Sequence, residues 1–202
     1  MTTAICRSSP PSDEGTAIRA RRTVYGRRVI VWLNGPFGGG KTSTAGALSA
    51  VRPQWRVFDP EMVGHFLCAA LPDLAEDVDD FQDLPAWRPL VAATLHEVSV
   101  QTGQHLVAPQ SVLNESYFRE IVERLTSAGQ QPFHVVLDAP EGVLRERIEG
   151  SDEAQAWRLD HLPLYLEARK WMVGQADLVL DTSADDPLGL ARTIAGAVSD
   201  RT

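Results

Sequence analysis

Cysteine is nearly absent from this 202-residue chain, with Cys6 and Cys68 the only two. Two thiols so far apart make neither a disulfide framework nor a zinc site, which excludes the stapled mini-domain and zinc-finger classes. Lysine is as scarce: Lys41 and Lys170 stand alone, and the other cations are arginines. The 19 basic residues are outnumbered by 27 acidic ones, giving a formal charge of −8. Outside the N-terminal segment no block of cations is dense enough to follow a phosphodiester backbone, so nucleic acid is not an expected partner. No apolar run approaches about 18 residues, and no transmembrane segment is expected, though peripheral membrane contact stays open. The first 26 residues lack the apolar stretch of a signal peptide, and the expectation is a cytoplasmic protein. The histidines His65, His96, His105, His134 and His161 show no metal-site spacing.

What is present is one domain's worth of alternating signals. Residues 1–26, rich in Ser, Pro, Thr and Arg, read as a disordered extension, and residues 27–202 as the folded domain, compatible with a monomer or a homodimer. Short apolar runs suggest strands at Arg28–Leu33, Trp55–Phe58, His105–Ala108, Phe133–Leu137 and Leu178–Leu180. Helical patterns lie between them, at Lys41–Ala50, Pro60–Ala70, Leu84–Gln101, Glu115–Ala128, Pro140–Glu149, Glu153–Val173 and Pro187–Val198. Asp59-Pro60, Asn114, Asp138 and Asp186-Pro187 supply helix starts, and Gly129 and Gly174 supply stops. Such alternation implies an α/β fold with a parallel sheet.

The strongest signal is Gly35-Pro36-Phe37-Gly38-Gly39-Gly40-Lys41-Thr42, a complete G-x-x-x-x-G-K-[ST] phosphate-binding loop between an apolar run and a helical stretch. Glycines let several backbone N–H groups converge on a phosphate, and the helix that follows adds its positive end. Gly35, Phe37, Gly38, Gly39, Gly40, Lys41, Thr42 and Ser43 are therefore the candidates for holding ATP. Lys41 would reach the β- and γ-phosphates, and the Thr42 hydroxyl would ligate Mg²⁺.

Other candidates sit where strands end. Asp59, in Phe58-Asp59-Pro60-Glu61, can orient or deprotonate an acceptor hydroxyl, with Glu61 a weaker second. The stretch Asp79–Arg88 offers Gln82 for hydrogen bonding, Trp87 to stack a ring and Arg88 to grip an anion. After the third strand stands Gln110, where many phosphate-loop proteins place a metal-holding acid. Arg147 and Arg158, with Arg145 less suited, would neutralise charge on a transferring phosphoryl group from a short mobile lid, and His161 lies just beyond Arg158.

Taken together, Val31–Thr42, Asp59-Pro60-Glu61, Asp80-Phe81-Gln82 with Trp87-Arg88, and Val107-Ala108-Pro109 resemble the tunicamycin-resistance ATP-binding proteins over about residues 28 to 200. The resemblance implies a three-layer P-loop kinase-like fold: a five-stranded parallel sheet flanked by helices, with a short arginine-bearing lid. It also implies binding of ATP and Mg²⁺, and action on a nucleoside-like antibiotic such as tunicamycin. The leading expectation is a small-molecule kinase. An ATP-gated sequestering protein and a housekeeping nucleoside or nucleotide kinase are the alternatives.

Overall fold

A computed structural model describes residues 28–151 and 154–199. The expected N-terminal extension, and Cys6 with it, lies outside these residues, as does the first residue of the helix expected from Glu153. The apolar run after Val29 forms β1 (Ile30–Asn34), buried along its whole length. Ile30 and Trp32 face one side of the sheet, Val31 and Leu33 the other, as the two-residue period of a strand dictates. β1 lies at the centre, and β2 (Trp55–Val57), β3 (His105–Pro109), β4 (Phe133–Asp138) and β5 (Leu178–Asp181) complete a sheet of order β2-β3-β1-β4-β5. Every pairing is parallel.

Parallel strands need crossovers, and the helices that provide them bury both faces. On one side α1 (Lys41–Val51) and α9 (Pro187–Ser199) set Ala45, Leu48, Ile194 and Val198 against Val31, Leu33 and Val107. On the other, α2 (Glu61–Ala70), α4 (Trp87–Thr102) and α5 (Glu115–Ser127) pack Leu67, Trp87, Leu95, Phe118 and Ile121 against Ile30, Trp32 and Leu106. A third cluster joins α8 (Leu162–Gly174) and Leu144 of α6 (Glu141–Glu149) to Val136. The result is the three-layer α/β architecture expected from the sequence.

Local differences from the expected elements have physical causes. The helix expected from Leu84 starts at Trp87, because Leu84 precedes Pro85 and is extended (φ −64°, ψ 117°). Before it, Phe81–Asp83 makes one tight 3-10 turn capped by Asp80. A short helix α3 (Pro72–Ala75), unexpected, opens on Pro72. The long helix ending at Val173 is two, α7 (Gln155–Asp160) and α8, because Pro163 in the first turn of α8 has no N–H to continue α7. Asn114 caps α5 as expected, its side chain accepting from the N–H of Ser116 and Tyr117, and Gly129 follows that helix at φ +81°. Asp138 instead accepts from Tyr165, Arg169 and the Ala139 N–H, so α6 starts without a side-chain cap.

Candidate active site

All five strands point their carboxyl ends the same way, and the loops there build the site. Between β1 and α1 the chain turns through Gly35 (φ +138°), Gly38 (φ +74°) and Gly40 (φ +78°). A Cβ on Gly35 would collide with the carbonyl of Leu137, so this position needs glycine for space as well as for its dihedral. The Gly39 N–H donates to the Pro36 carbonyl at 3.1 Å and closes the loop. Gly40 enters α1 with no side-chain cap and no acid in the first turn. The leading amides of α1 are therefore left to an external anion.

Lys41 is the buried charge of the loop. Its Nζ donates to the carbonyls of Pro36 (2.7 Å) and Gly35 (3.2 Å) and lies 5.5 Å from the Phe37 ring centre. Burial lowers its pKa to about 7, with Glu61 acting against the shift and Arg158 adding to it. Around it opens a cleft of ≈ 430 Å³ whose walls include Thr42, Ser43, Glu61, Pro109, Arg147 and Arg158. The cleft gathers three cations, Lys41, Arg147 and Arg158, against one acid, Glu61. Among the described residues no group of three His, Cys, Asp or Glu could hold a metal by itself. The donor set fits Mg²⁺ only as nucleotide kinases use it, through Thr42 and phosphate oxygens.

Asn34 fixes the loop to the rest of the sheet. It is fully buried, and its Oδ1 accepts from the N–H of Gly35 and of Val112, both at 2.9 Å, while its Nδ2 donates to the Val112 carbonyl at 3.3 Å. Ser111 adds a bond from its hydroxyl to the Gly35 carbonyl at 2.8 Å. Neither residue was singled out from the sequence. The only local signal is an amide side chain directly before the first loop glycine.

The acids and arginines divide differently from expectation. Asp59 is exposed, accepts from the Glu61 N–H at 3.0 Å, and is not among the residues lining the cleft. Glu61 lines it instead, its pKa raised by burial first and by Asp59 second. Arg147 donates to the Gly38 carbonyl and, at 2.9 and 2.8 Å, to the hydroxyl and carbonyl of Thr182, which ties α6 to the phosphate loop and to the end of β5. Arg158 faces the same cleft from α7. Arg145 pairs with Glu141 one turn away on the exposed face of α6. Around Arg158, Trp157 packs on Phe37 (5.0 Å between ring centres) and on His161 (3.7 Å), an aromatic clasp between α7 and the phosphate loop.

A second cavity of ≈ 180 Å³ adjoins the cleft and shares Phe37 and Ser111 with it. Gln82 is in its wall, as expected, with Asp80, Asp83, Asn114, Tyr117 and His161 around it. Trp87 and Arg88 are not. Trp87 is fully buried, its indole N–H on the Pro60 carbonyl, so the ring expected to stack a ligand is core. Arg88, expected to grip an anion, pairs with Glu120 at 2.7 Å, donates to the Gln82 carbonyl at 2.8 Å and lies over the Tyr117 ring. Gln110 is buried, its Nε2 meeting that of Gln82 at the Ser111 carbonyl and its Oε1 without a partner. Asp80 and Asp83 belong to the stretch expected on the acceptor side, while Tyr117, not among the expected site residues, is brought to Asp83 across 34 residues by the fold.

No family model matches the chain, and no curated protein sequence does. Solved structures do. The APS kinase of Mycobacterium tuberculosis in complex with AMPPNP and APS is 20% identical, with a TM-score of 0.57 over 86% of this chain and 98% of that one. Shikimate kinase from Acinetobacter baumannii, in complex with shikimate, is 16% identical, with a TM-score of 0.55 over 89% and 97%. At such identities the likeness establishes the P-loop kinase fold. The Deinococcus radiodurans tunicamycin resistance protein is nearer: 30% identity and a TM-score of 0.68, over 85% of this chain and 96% of that one. With that identity spread over nearly the whole of both chains, this protein belongs to the tunicamycin resistance protein family.

Proposed function

We propose that this protein is an ATP- and Mg²⁺-dependent phosphotransferase acting on a hydroxyl of a small nucleoside-like antibiotic, with tunicamycin the first acceptor to try. The observation that carries the reading is the contiguity of the two cavities. A donor phosphoryl group in the cleft and an acceptor hydroxyl in the smaller cavity would meet at the shared Phe37 and Ser111 wall, held rather than colliding from solution.

Placement in the cleft supports the following roles. The loop amides and Lys41 hold the β- and γ-phosphates, and Thr42 holds Mg²⁺, which when bound offsets phosphate charge. Glu61 takes the proton of the acceptor hydroxyl as its oxygen bonds to the γ-phosphorus and the bond to the ADP oxygen breaks. Burial first and the Asp59 charge second raise its pKa, which makes it a stronger base than an ordinary carboxylate. Arg147 and Arg158 face the charge that develops on the transferred group.

The test is incubation with Mg²⁺, ATP and tunicamycin, following ADP release and product mass. A phosphate added to the drug is expected, with Lys41→Ala slower by about 10²–10³-fold and Glu61→Gln slower than Asp59→Asn. Binding of the drug that depends on ATP but adds no mass would replace this reading with sequestration.

A further inference from the structure

The smaller cavity has an unbalanced charge. Asp80 and Asp83 both line it, and each spends one carboxylate oxygen on the protein: Asp80 Oδ1 accepts from the Gln82 N–H at 2.9 Å, and Asp83 Oδ1 from the Tyr117 hydroxyl at 3.0 Å. Among the described residues no lysine or arginine forms an ion pair with either. Arg88, over the Tyr117 ring, pairs with Glu120, a carboxylate it shares with Arg124, and does not line the cavity. Lys41, Arg147 and Arg158 belong to the phosphate side. Only His161 could offset the two acids within the cavity. The rest of its polar lining, Gln82, Ser111, Asn114 and Tyr117, consists of neutral donors and acceptors suited to hydroxyl groups.

We infer that Asp80 and Asp83 set acceptor specificity by charge: the cavity rejects carboxylated or phosphorylated acceptors and takes an uncharged or amine-bearing hydroxylated ring. This rests on the phosphotransferase reading for the meaning of "acceptor", and it deepens that reading by naming the class. Two carboxylates some 6 Å from an anion would weaken its binding by on the order of tenfold even at the dielectric of bulk water, and by more at that of a protein surface. Burial already raises the pKa of Asp80, with the Gln82 N–H acting against the shift, as expected of a carboxylate lacking a counter-charge. A cavity of ≈ 180 Å³ holds the ring that bears the reacting hydroxyl, with the rest of a larger acceptor extending beyond it.

The test uses the full chain and ligand-detected NMR. The probes are a fragment collection of hydroxylated rings in matched anionic, uncharged and amine-bearing forms. Cavity hits are those lost in Leu164→Trp, a half-exposed wall position whose enlargement fills the space. Uncharged and amine-bearing fragments should dominate the cavity hits, with anionic forms at least tenfold weaker. Asp80→Asn combined with Asp83→Asn keeps both acceptor oxygens that the fold uses, and should admit the anionic forms at least tenfold more tightly. Anionic fragments binding the wild-type cavity as well as their matched partners would overturn the inference. So would an unchanged ranking in the double variant, or no fragment lost in Leu164→Trp. ADP release with the cavity hits separates the two levels. A charge ranking without turnover removes the phosphotransferase reading alone, and turnover of an anionic acceptor removes this inference alone.

Discussion

The two halves of the cleft are built from different materials. The cleft around Lys41 rests mainly on one stretch of main chain, the loop and the start of α1 over residues 35–43, with Glu61, Arg147 and Arg158 brought in from elsewhere. The smaller cavity is made of side chains from three distant stretches, Asp80–Asp83, Ser111–Tyr117 and His161–Leu164, set against Phe37 of the loop. A main-chain site demands particular glycines and leaves a motif. A side-chain site demands only that the fold bring unrelated residues together, and can change its ligand without disturbing the sheet. The difference explains how one architecture carries many acceptors while its phosphate loop stays recognisable.

The contrast is broken most severely at Gly35. Gly35→Ala would place a Cβ against the Leu137 carbonyl at a φ of +138°. The expected loss is about 3 kcal/mol of stability, read by denaturant unfolding, together with ATP binding. A variant that unfolds at the wild-type midpoint and binds ATP would show that the loop is not held by main-chain packing.

Asn34→Ala tests the seam between the halves. It leaves the buried amides of Gly35 and Val112 without their shared acceptor, which should cost about 2 kcal/mol. Because Asn34 joins the loop to the segment that lines the acceptor cavity, calorimetry should find ATP and acceptor affinity both reduced. Loss of one alone would mean that the halves are independent.

The gentlest probe is pH. Lys41 loses its proton near pH 7 in the free protein, against an ordinary 10.5, because it is buried. Bound phosphate favours the charged form, so above pH 7 ATP binding takes up a proton and the apparent Kd should rise by up to about tenfold per pH unit. Below pH 7 it should level off. Titrations in two buffers of different ionisation enthalpy would measure that proton, and a flat profile from pH 6 to 9 would refute the lowered pKa.

The same contrast governs what the sequence revealed. The sheet was readable because Ile30-Val31-Trp32-Leu33 and Phe133–Leu137 are short apolar runs bounded by turn residues, and the phosphate loop because its spacing is fixed by main-chain geometry. Lys41, Thr42, Glu61, Arg147 and Arg158 line the cleft, and Gln82 the cavity beside it. Trp87 and Arg88 misled because an aromatic or an arginine between two helices reads alike whether it faces a ligand or a neighbour. The Glu120 that occupies Arg88 is 32 residues away. Asn34 and Ser111 were missed for the same reason: the bonds that join them across the sheet span 76 to 78 residues, and only the Asn34 bond to the next N–H is local.

The aromatic clasp makes α7 visible to light. Trp32, Trp55 and Trp87 are buried in the core and Trp171 packs against it, whereas Trp157 is 36% exposed and rests on Phe37 of the phosphate loop. The emission of that one indole therefore carries the position of the helix that presents Arg158. Comparing the chain with its Trp157→Phe form, nucleotide titration should change the difference spectrum, giving a stopped-flow signal for lid movement without an attached dye.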